Sequence, residues 1–241
     1  MMKALIQTAG LTEKDYIVVL PMASAETDSA DFYFSRSLPP GTKCTVVSFN
    51  FIQGEIPPTS KLDSLRYAKL IYIMGGDQSR FMRAIQQTSL AETLHVAYQD
   101  GATIAGTSAG AAVMSKLMIT GNETKCDTAY HATFRKLWWD NIAFENGLGL
   151  LPNAIIDQHF VARSRYNRMF SALAQHPQLP CIGIDEATAI IVEGNKVTVT
   201  GESQVIVAKE PKGLQRTKNG LIKFSDVQLS VYTQGDQFTL K

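Results

Sequence analysis

The sequence predicts an α/β fold: a three-layer, doubly wound, mostly parallel sheet followed by C-terminal β-hairpins. Three observations point there. Apolar, β-rich runs alternate with helical stretches, the pattern of successive βαβ units. These runs are almost continuously apolar, which a strand needs when helices cover both faces of its sheet. Beyond residue 187 the pattern changes to polar-apolar alternation around Gly-Asn and Gly-Glu pairs, the mark of short antiparallel strands. With 241 residues, 45% of them apolar, the chain can bury a full core. It reads as one domain over 1–241, an α/β core to about 187 and a β extension over about 188–241.

The strand candidates are YIVVLPMA (16 to 23), CTVVSF (44 to 49), LIYIMGG (70 to 76), ATIAGTS (102 to 108), AIIDQHF (154 to 160) and CIGIDEATAIIVE (181 to 193). Helical patterns occupy about 25 to 37, 61 to 67, 78 to 99, 109 to 117 and 163 to 175. Open α/β sheets bind ligands beyond the carboxyl ends of their strands. Gly75-Gly76-Asp77-Gln78, Ser108 and Asp157-Gln158-His159 all fall at such ends.

Bulk composition narrows the chemistry. Twenty-three basic against 22 acidic side chains leave a formal charge of +1, too weak a field to argue for nucleic acid or an anionic membrane. Cys44, Cys126 and Cys181 are odd in number and widely spaced, so free thiols are expected. The first residues lack the apolar core of a secretory signal, and no stretch approaches the 18 apolar residues of a membrane span. A cytoplasmic protein is expected.

Gly106-Thr107-Ser108-Ala109-Gly110 spells G-x-S-x-G between a strand and a helix start, the context of a nucleophile elbow. The glycines leave room for a sharp turn at the serine, and the amide N–H groups that follow can face an oxyanion. The competing reading is a small-residue turn in which Ser108 caps the helix. A serine needs a base, and histidine is the usual one. Of four histidines, His95 and His176 read as ordinary helix and helix-end residues, and His131 falls in a segment without a clear element. His159 ends a strand expected to neighbour the serine strand and the Gly-Gly turn. A carboxylate should orient the imidazole. Glu123, Asp127, Glu145, Asp157 and Glu186 all qualify by position.

LIYIMGGDQSR, AGTSAGAAVMS, GLGLLPNAIIDQHFVARSRYNRM and CIGIDEATAIIVEG, in this order, resemble the cyanophycinase-like serine peptidases of family S51 from about residue 17 onward. The resemblance implies a class I glutamine amidotransferase-like fold and acyl transfer without metal or organic cofactor. It puts the nucleophile on Ser108, the general base on His159, the acidic member on Glu123, and the oxyanion hole on the amides of Gly76 and Ala109. The stretch D-Q-H-F-x-x-R-x-R-x-x-R is complete from Asp157 to Arg168. The resemblance implies substrate contacts for Asp157, Gln158, Arg163, Arg165 and Arg168 of this stretch and for Gln78 of the G-G-D-Q turn. On a helix Arg165 and Arg168 share a face, and guanidinium groups grip carboxylates by paired bonds. The implied substrate is a β-linked aspartyl peptide such as the arginine-bearing branches of cyanophycin. The family's usual opening strand has no counterpart here, so an edge strand is expected to be missing. The long stretch 124 to 146, with Trp138 and Trp139, fits a lid over the pocket or a dimer contact, and a homodimer is expected. A peptidase for other acidic peptides, a non-catalytic peptide-binding homologue and an α/β-hydrolase esterase are the alternatives. The esterase has no use for the Gly-Gly-Asp-Gln turn or the arginine run.

Overall fold

The computed structural model of the protein describes residues 1–125 and 135–240. The chain divides into two compact units, Met1–Val113 and Met114–Lys241. His131, Asp127 and Cys126 lie outside the described residues, as does the start of the stretch read as a lid.

The first unit contains α1 (Met2–Ala9), β1 (Tyr16–Leu20), α2 (Ala30–Ser37), β2 (Thr45–Ser48), α3 (Thr59–Arg66), β3 (Leu70–Ile73), α4 (Gln78–Ile85), α5 (Ser89–Gln99), β4 (Thr103–Gly106) and α6 (Ala109–Ala112). Its sheet has the order β2-β1-β3-β4, and every pair is parallel. The continuous apolar runs behave as their composition demands: Ile17, Val18, Val19, Leu70, Ile71 and Ile73 are fully buried. Register pairs Ile73 with Gly106, so β3 and β4 end level and release the Gly75-Gly76 turn and the Ser108 turn from one edge.

The helix expected over 78 to 99 is two helices. Gln87 takes a left-handed φ of 61°, and the Thr88 hydroxyl accepts the Leu90 N–H at 3.2 Å, capping a new helix. The helix expected over 109 to 117 is shorter still: one turn, α6, after which the chain extends into a strand.

The second unit contains β5 (Leu117–Glu123), β6 (Ile142–Asn146), β7 (Ile155–Gln158), α7 (Tyr166–Gln175), β8 (Cys181–Ile184), β9 (Thr188–Glu193), β10 (Lys196–Gly201), β11 (Val205–Lys212), β12 (Gln215–Arg216), β13 (Ile222–Lys223), β14 (Asp226–Tyr232) and β15 (Gln237–Thr239). Its main sheet runs β14-β11-β8-β7, parallel only between β7 and β8. A second sheet, β15-β10-β9, is antiparallel, and its hairpin turns at Gly194-Asn195, as the sequence predicts. The fold is therefore mixed α/β. Parallel pairing dominates only in the first unit, because β11 comes back antiparallel beside β8 through the β9-β10 hairpin and not through a crossover helix. Since β8 and β11 pair, the change of pattern near 187 marks a reversal of strand direction within one unit.

The run 181 to 193 is likewise two strands in two sheets, broken at Asp185 to Ala187, where Ala187 has φ 52°. The core of this unit joins Ile155, Phe160, Met169, Leu173, Cys181 and Ile206. Phe160 lies against Gly183, where an added Cβ would come within 2.3 Å of its ring. Among the described residues no helix is long and apolar enough to cross a membrane.

Candidate active site

Four of the sequence-derived site residues, Gly76, Gln78, Ser108 and Ala109, belong to the first unit. Ser108 follows β4 with φ 52° and ψ −110°, a region that L-residues other than glycine rarely occupy and that is concentrated at functional sites. The glycines on either side are obligatory. A Cβ at Gly106 would sit 2.2 Å from the Gly110 carbonyl oxygen, and one at Gly110 would sit 2.2 Å from the Ile73 carbonyl oxygen. Strand, turn and helix can meet this closely only without side chains. The Ser108 carbonyl accepts the N–H groups of Ala111 and Ala112, both at 3.0 Å, but its side chain makes no capping bond to the helix. The capping alternative is thereby set aside.

The Gly75-Gly76 turn lies against this serine: a Cβ on Gly75 would come 3.3 Å from Ser108 Cβ. Gly76 has φ 137°, and a Cβ there would press to 2.1 Å from the Ala23 carbonyl oxygen, so the turn too requires glycine. Asp77 holds it in place, donating its N–H to Ala23 O at 2.9 Å and capping α4 through the Arg80 N–H at 2.9 Å. Gln78 is buried at the first position of α4. Ala109 opens α6, where a helical amide has no partner within its own helix.

The second unit carries the histidine. His159 follows β7 with φ 52°, and the strand direction ends there. Its Nδ1 lies 3.1 Å from Glu186 Oε1. A carboxylate acceptor at Nδ1 selects the Nδ1–H tautomer and leaves Nε2 as the basic nitrogen. Burial lowers the histidine's pKa below its ordinary value, the Arg163 cation lowers it further, and the bond to Glu186 works in the opposite direction. The imidazole is thus neutral at pH 7, the state a general base needs.

The acid beside the imidazole is Glu186 and not Glu123. Glu123 closes β5, and its Oε2 accepts the Asn141 Nδ2 donor at 2.7 Å. Asn141 is fully buried and also accepts the Lys125 N–H at 3.0 Å, so it fixes Glu123 to the β5-β6 end. Glu145 is exposed on β6. The motif D-E after an apolar strand was visible in the sequence, but nothing local distinguishes Glu186 from its four competitors; the contact spans 27 residues of chain.

The arginine run divides into buried and exposed members. Asp157, Arg165 and Arg168 are each no more than 3% exposed. Arg168 donates through Nε to Asp157 Oδ2 at 2.7 Å and through Nη2 to Oδ1. Arg165 Nη1 donates to Asp157 Oδ1 at 3.2 Å and to the Gln158 carbonyl at 2.6 Å. Only the Arg168 contact is paired, Nε and Nη2 each taking one Asp157 oxygen. This buried cluster clamps the start of α7 to the end of β7, directly before His159. Asp157, Arg165 and Arg168, for which the resemblance implies substrate contacts, are bonded to one another in this structure. Arg163 is the exposed member of the run; α7 starts only at Tyr166, so Arg163 sits in the preceding turns. Gln158 is half-buried at the strand end.

The strand expected beside the serine strand is organised differently. β4 pairs with β3, and β7 pairs with β8. Within the second unit, the buried Ser115 hydroxyl accepts the Ile156 N–H of β7 at 3.0 Å. Trp138 forms an antiparallel bridge with Leu221, and the Trp139 N–H donates to Gly220 O at 2.9 Å, so the described part of the tryptophan stretch packs on the β12-β13 hairpin. His176 ends α7 with its ring edge-on to Phe144, an ordinary helix-end histidine, as the sequence suggests.

Residues 1–200 match Peptidase family S51. The chain is 31% identical to the cyanophycinase of Nostoc sp. strain PCC 7120 over 236 residues, covering 94% of this chain and 76% of that protein. It is also 31% identical to the cyanophycinase of Geminocystis herdmanii, covering 93% and 82%. With peptidase E of Actinobacillus pleuropneumoniae serotype 5b it shares 25% identity over 61% of each chain. The fold is similar to the crystal structure of a peptidase from an acI-B1 Actinobacterium, with a TM-score of 0.69 at 19% identity over 99% of this chain and 89% of that one. The chain belongs to peptidase family S51 and is a serine-type peptidase, a hydrolase.

Proposed function

We propose that the protein is an exopeptidase of the cyanophycinase type, releasing β-aspartyl-arginine units through a serine acyl-enzyme. The observation that carries this reading is the Ser108 backbone, held at φ 52° and ψ −110° between two glycines that no other residue can replace. Such a turn offers the hydroxyl at the tip of a strand-to-helix bend. In this mechanism His159 Nε2 takes the Ser108 proton as Oγ attacks the peptide carbonyl carbon. The N–H groups of Gly76 and Ala109 receive the oxyanion, and the imidazolium then protonates the leaving amine. Water, activated by the same imidazole, hydrolyses the ester. Glu186 keeps the ring in the Nδ1–H tautomer and stabilises its positive charge. The class I glutamine amidotransferase-like layering is part of the same proposal, supported by the parallel order β2-β1-β3-β4 with an elbow after its last strand.

The substrate assignment follows the relatives named cyanophycinase, at 31% identity over most of the chain. A second reading, a related exopeptidase for other aspartyl or acidic peptides, is favoured by one observation: Arg165 and Arg168 are engaged with Asp157, leaving Arg163 as the exposed cation beside the histidine. Purified protein incubated with cyanophycin, and in parallel with a panel of α- and β-aspartyl dipeptides, separates the two. Release of β-Asp-Arg supports the first and dipeptide cleavage without it the second. Inactivity on both, or retained activity in Ser108→Ala, removes the peptidase mechanism.

A further inference from the structure

His159 and Glu186 come from different elements, the turn after β7 and the turn between β8 and β9, and one 3.1 Å contact joins them. The Glu186 side chain is 56% exposed. A solvated pair of this kind does not hold two backbones in register, because water screens it and ordering the flexible glutamate costs entropy. The β7-β8 ladder sets the register of the two strand ends, up to the Gln158-Ile184 pair and the Phe160 N–H bond to the Ile184 carbonyl at 3.2 Å, but past Ile184 side chains must align the two turns.

The adjacent residue, Asp185, has the required connections. Its Oδ1 accepts the N–H groups of Val161 at 3.0 Å and Ala162 at 2.9 Å, the segment that leaves His159. Its Oδ2 accepts the Ser203 hydroxyl at 2.6 Å, and its own N–H donates to the Gln204 carbonyl at 3.2 Å. Burial would raise the Asp185 pKa, but the bonds from Ser203, Ala162, Glu186 and Val161 outweigh it and hold the carboxyl below its ordinary range. It is therefore ionised, and charge-assisted bonds of this type are among the stronger ones.

The same strands grip Glu186 from its other side. The Thr188 hydroxyl donates to the Glu186 carbonyl at 3.1 Å and accepts the Ser203 N–H at 2.9 Å. The Glu202 N–H donates to the Ala187 carbonyl at 2.9 Å. Gly201 allows this approach, since a Cβ there would come 2.3 Å from that carbonyl oxygen. Ala187, at φ 52°, is thus held in its unfavourable conformation from outside.

We infer that Asp185, anchored by Ser203 of the β10-β11 turn, is the positioning residue that sets the His159 ring against the Glu186 carboxylate. The C-terminal β region is then a working support of the active site and not an appendage. Asp185 touches no reacting atom; it acts through the backbone on both sides of the pair. The inference rests on the reading of His159 as base and Glu186 as its orienting acid.

A fluorophosphonate probe, whose reaction with Ser108 depends on the base and not on the identity of the peptide, reads the effect directly. The full chain is labelled at several probe concentrations to give a maximal rate and a half-saturating concentration. Asp185→Ala should lower the maximal rate roughly tenfold and leave the half-saturating concentration within about twofold, as a misplaced catalytic group does. In a Glu186→Gln background the same substitution should cost less than about twofold, because the alignment it protects is already without effect. Ser203→Ala should cost about threefold, and Ser203→Thr, which keeps the hydroxyl, should restore the rate. A full tenfold loss repeated in the Glu186→Gln background, or wild-type rates in both Asp185→Ala and Ser203→Ala, overturns the positioning role. If Asp185→Ala is insoluble, Ser203→Ala measured in both backgrounds decides by the same criterion. Wild-type labelling of Glu186→Gln, or none of the unsubstituted protein, instead overturns the pair reading and this proposal with it.

Discussion

The serine turn and the histidine turn solve the same problem in opposite ways. Both hold a non-glycine residue at a φ of 52° at the end of a strand. Ser108 is held there from within its own pentapeptide and the strand end beside it, by Gly106 and Gly110 permitting contacts that any Cβ would forbid. His159 is held from a distance: a buried Asp157-Arg165-Arg168 cluster on one side of it, and Asp185 binding the N–H groups of Val161 and Ala162 on the other. Strain supported by short-range packing leaves a motif in the sequence, whereas strain supported by polar bonds between elements leaves scattered Asp and Arg residues.

The comparison is broken most directly at the serine turn. Ser108→Ala should remove at least ~10⁴-fold in kcat with the fold intact, whereas Gly110→Ala should destabilise the protein by more than ~3 kcal/mol, since its Cβ meets backbone and not a movable side chain. Thermal melts and kinetics on both variants separate the two effects. A soluble, fully active Gly110→Ala would show that the elbow is not held by close packing.

At the histidine turn the decisive contrast is between two glutamates. Glu186→Gln should lower kcat by between ~10² and ~10⁴, and Glu123→Gln should leave it within about threefold, because Glu123 is bonded to Asn141. The reverse ranking would return the orienting role to Glu123.

Without Arg168, buried Asp157 keeps only the single Arg165 Nη1 bond of its guanidinium contacts, and its Oδ2 loses the Arg168 Nε donor. Arg168→Ala should therefore cost ~3 to 5 kcal/mol in chemical denaturation, against less than ~0.5 for the exposed Arg163→Ala. Equal small losses would mean that the cluster is not what clamps α7 to β7.

The smallest effect is on pH dependence. Because burial and Arg163 favour the neutral imidazole, the acid limb of kcat/KM should fall below the ordinary histidine value of 6.5. Arg163→Ala removes a cation that disfavours imidazolium, so the limb should move to higher pH; Glu186→Gln removes a group that favours it, so the residual activity should persist to lower pH. Shifts of the opposite sign would separate the titrating group from His159. Folding stability follows the same sign: a depressed histidine pKa leaves stability intact above about 6.5 and withdraws it as pH falls through the lower folded value.

Much of the first unit was legible because its signals are short-range. Continuous apolar runs gave the parallel strands, and G-x-S-x-G gave the elbow, since strand burial and turn geometry depend on neighbours a few positions away. The helix break at Gln87-Thr88 is hidden in the sequence, despite the capping threonine, because helical periodicity persists across it. In the second unit, periodicity ran 181 to 193 together as one strand. The chain instead changes sheets at Asp185, which three donors from Val161, Ala162 and Ser203 draw out of line.

By itself, the sequence determined the family, the alternation of strands and helices, the serine at a sharp bend and the histidine at a strand end. Only the tertiary structure decided that Glu186 faces the imidazole, which arginines turn inward, and that Asp185 and Ser203 bond the C-terminal strands to the segment after His159. The physical reason is one of range. Apolar burial and glycine sterics are written into contiguous residues, but a charge chooses its partner through space, where positions far apart in the chain compete on equal terms.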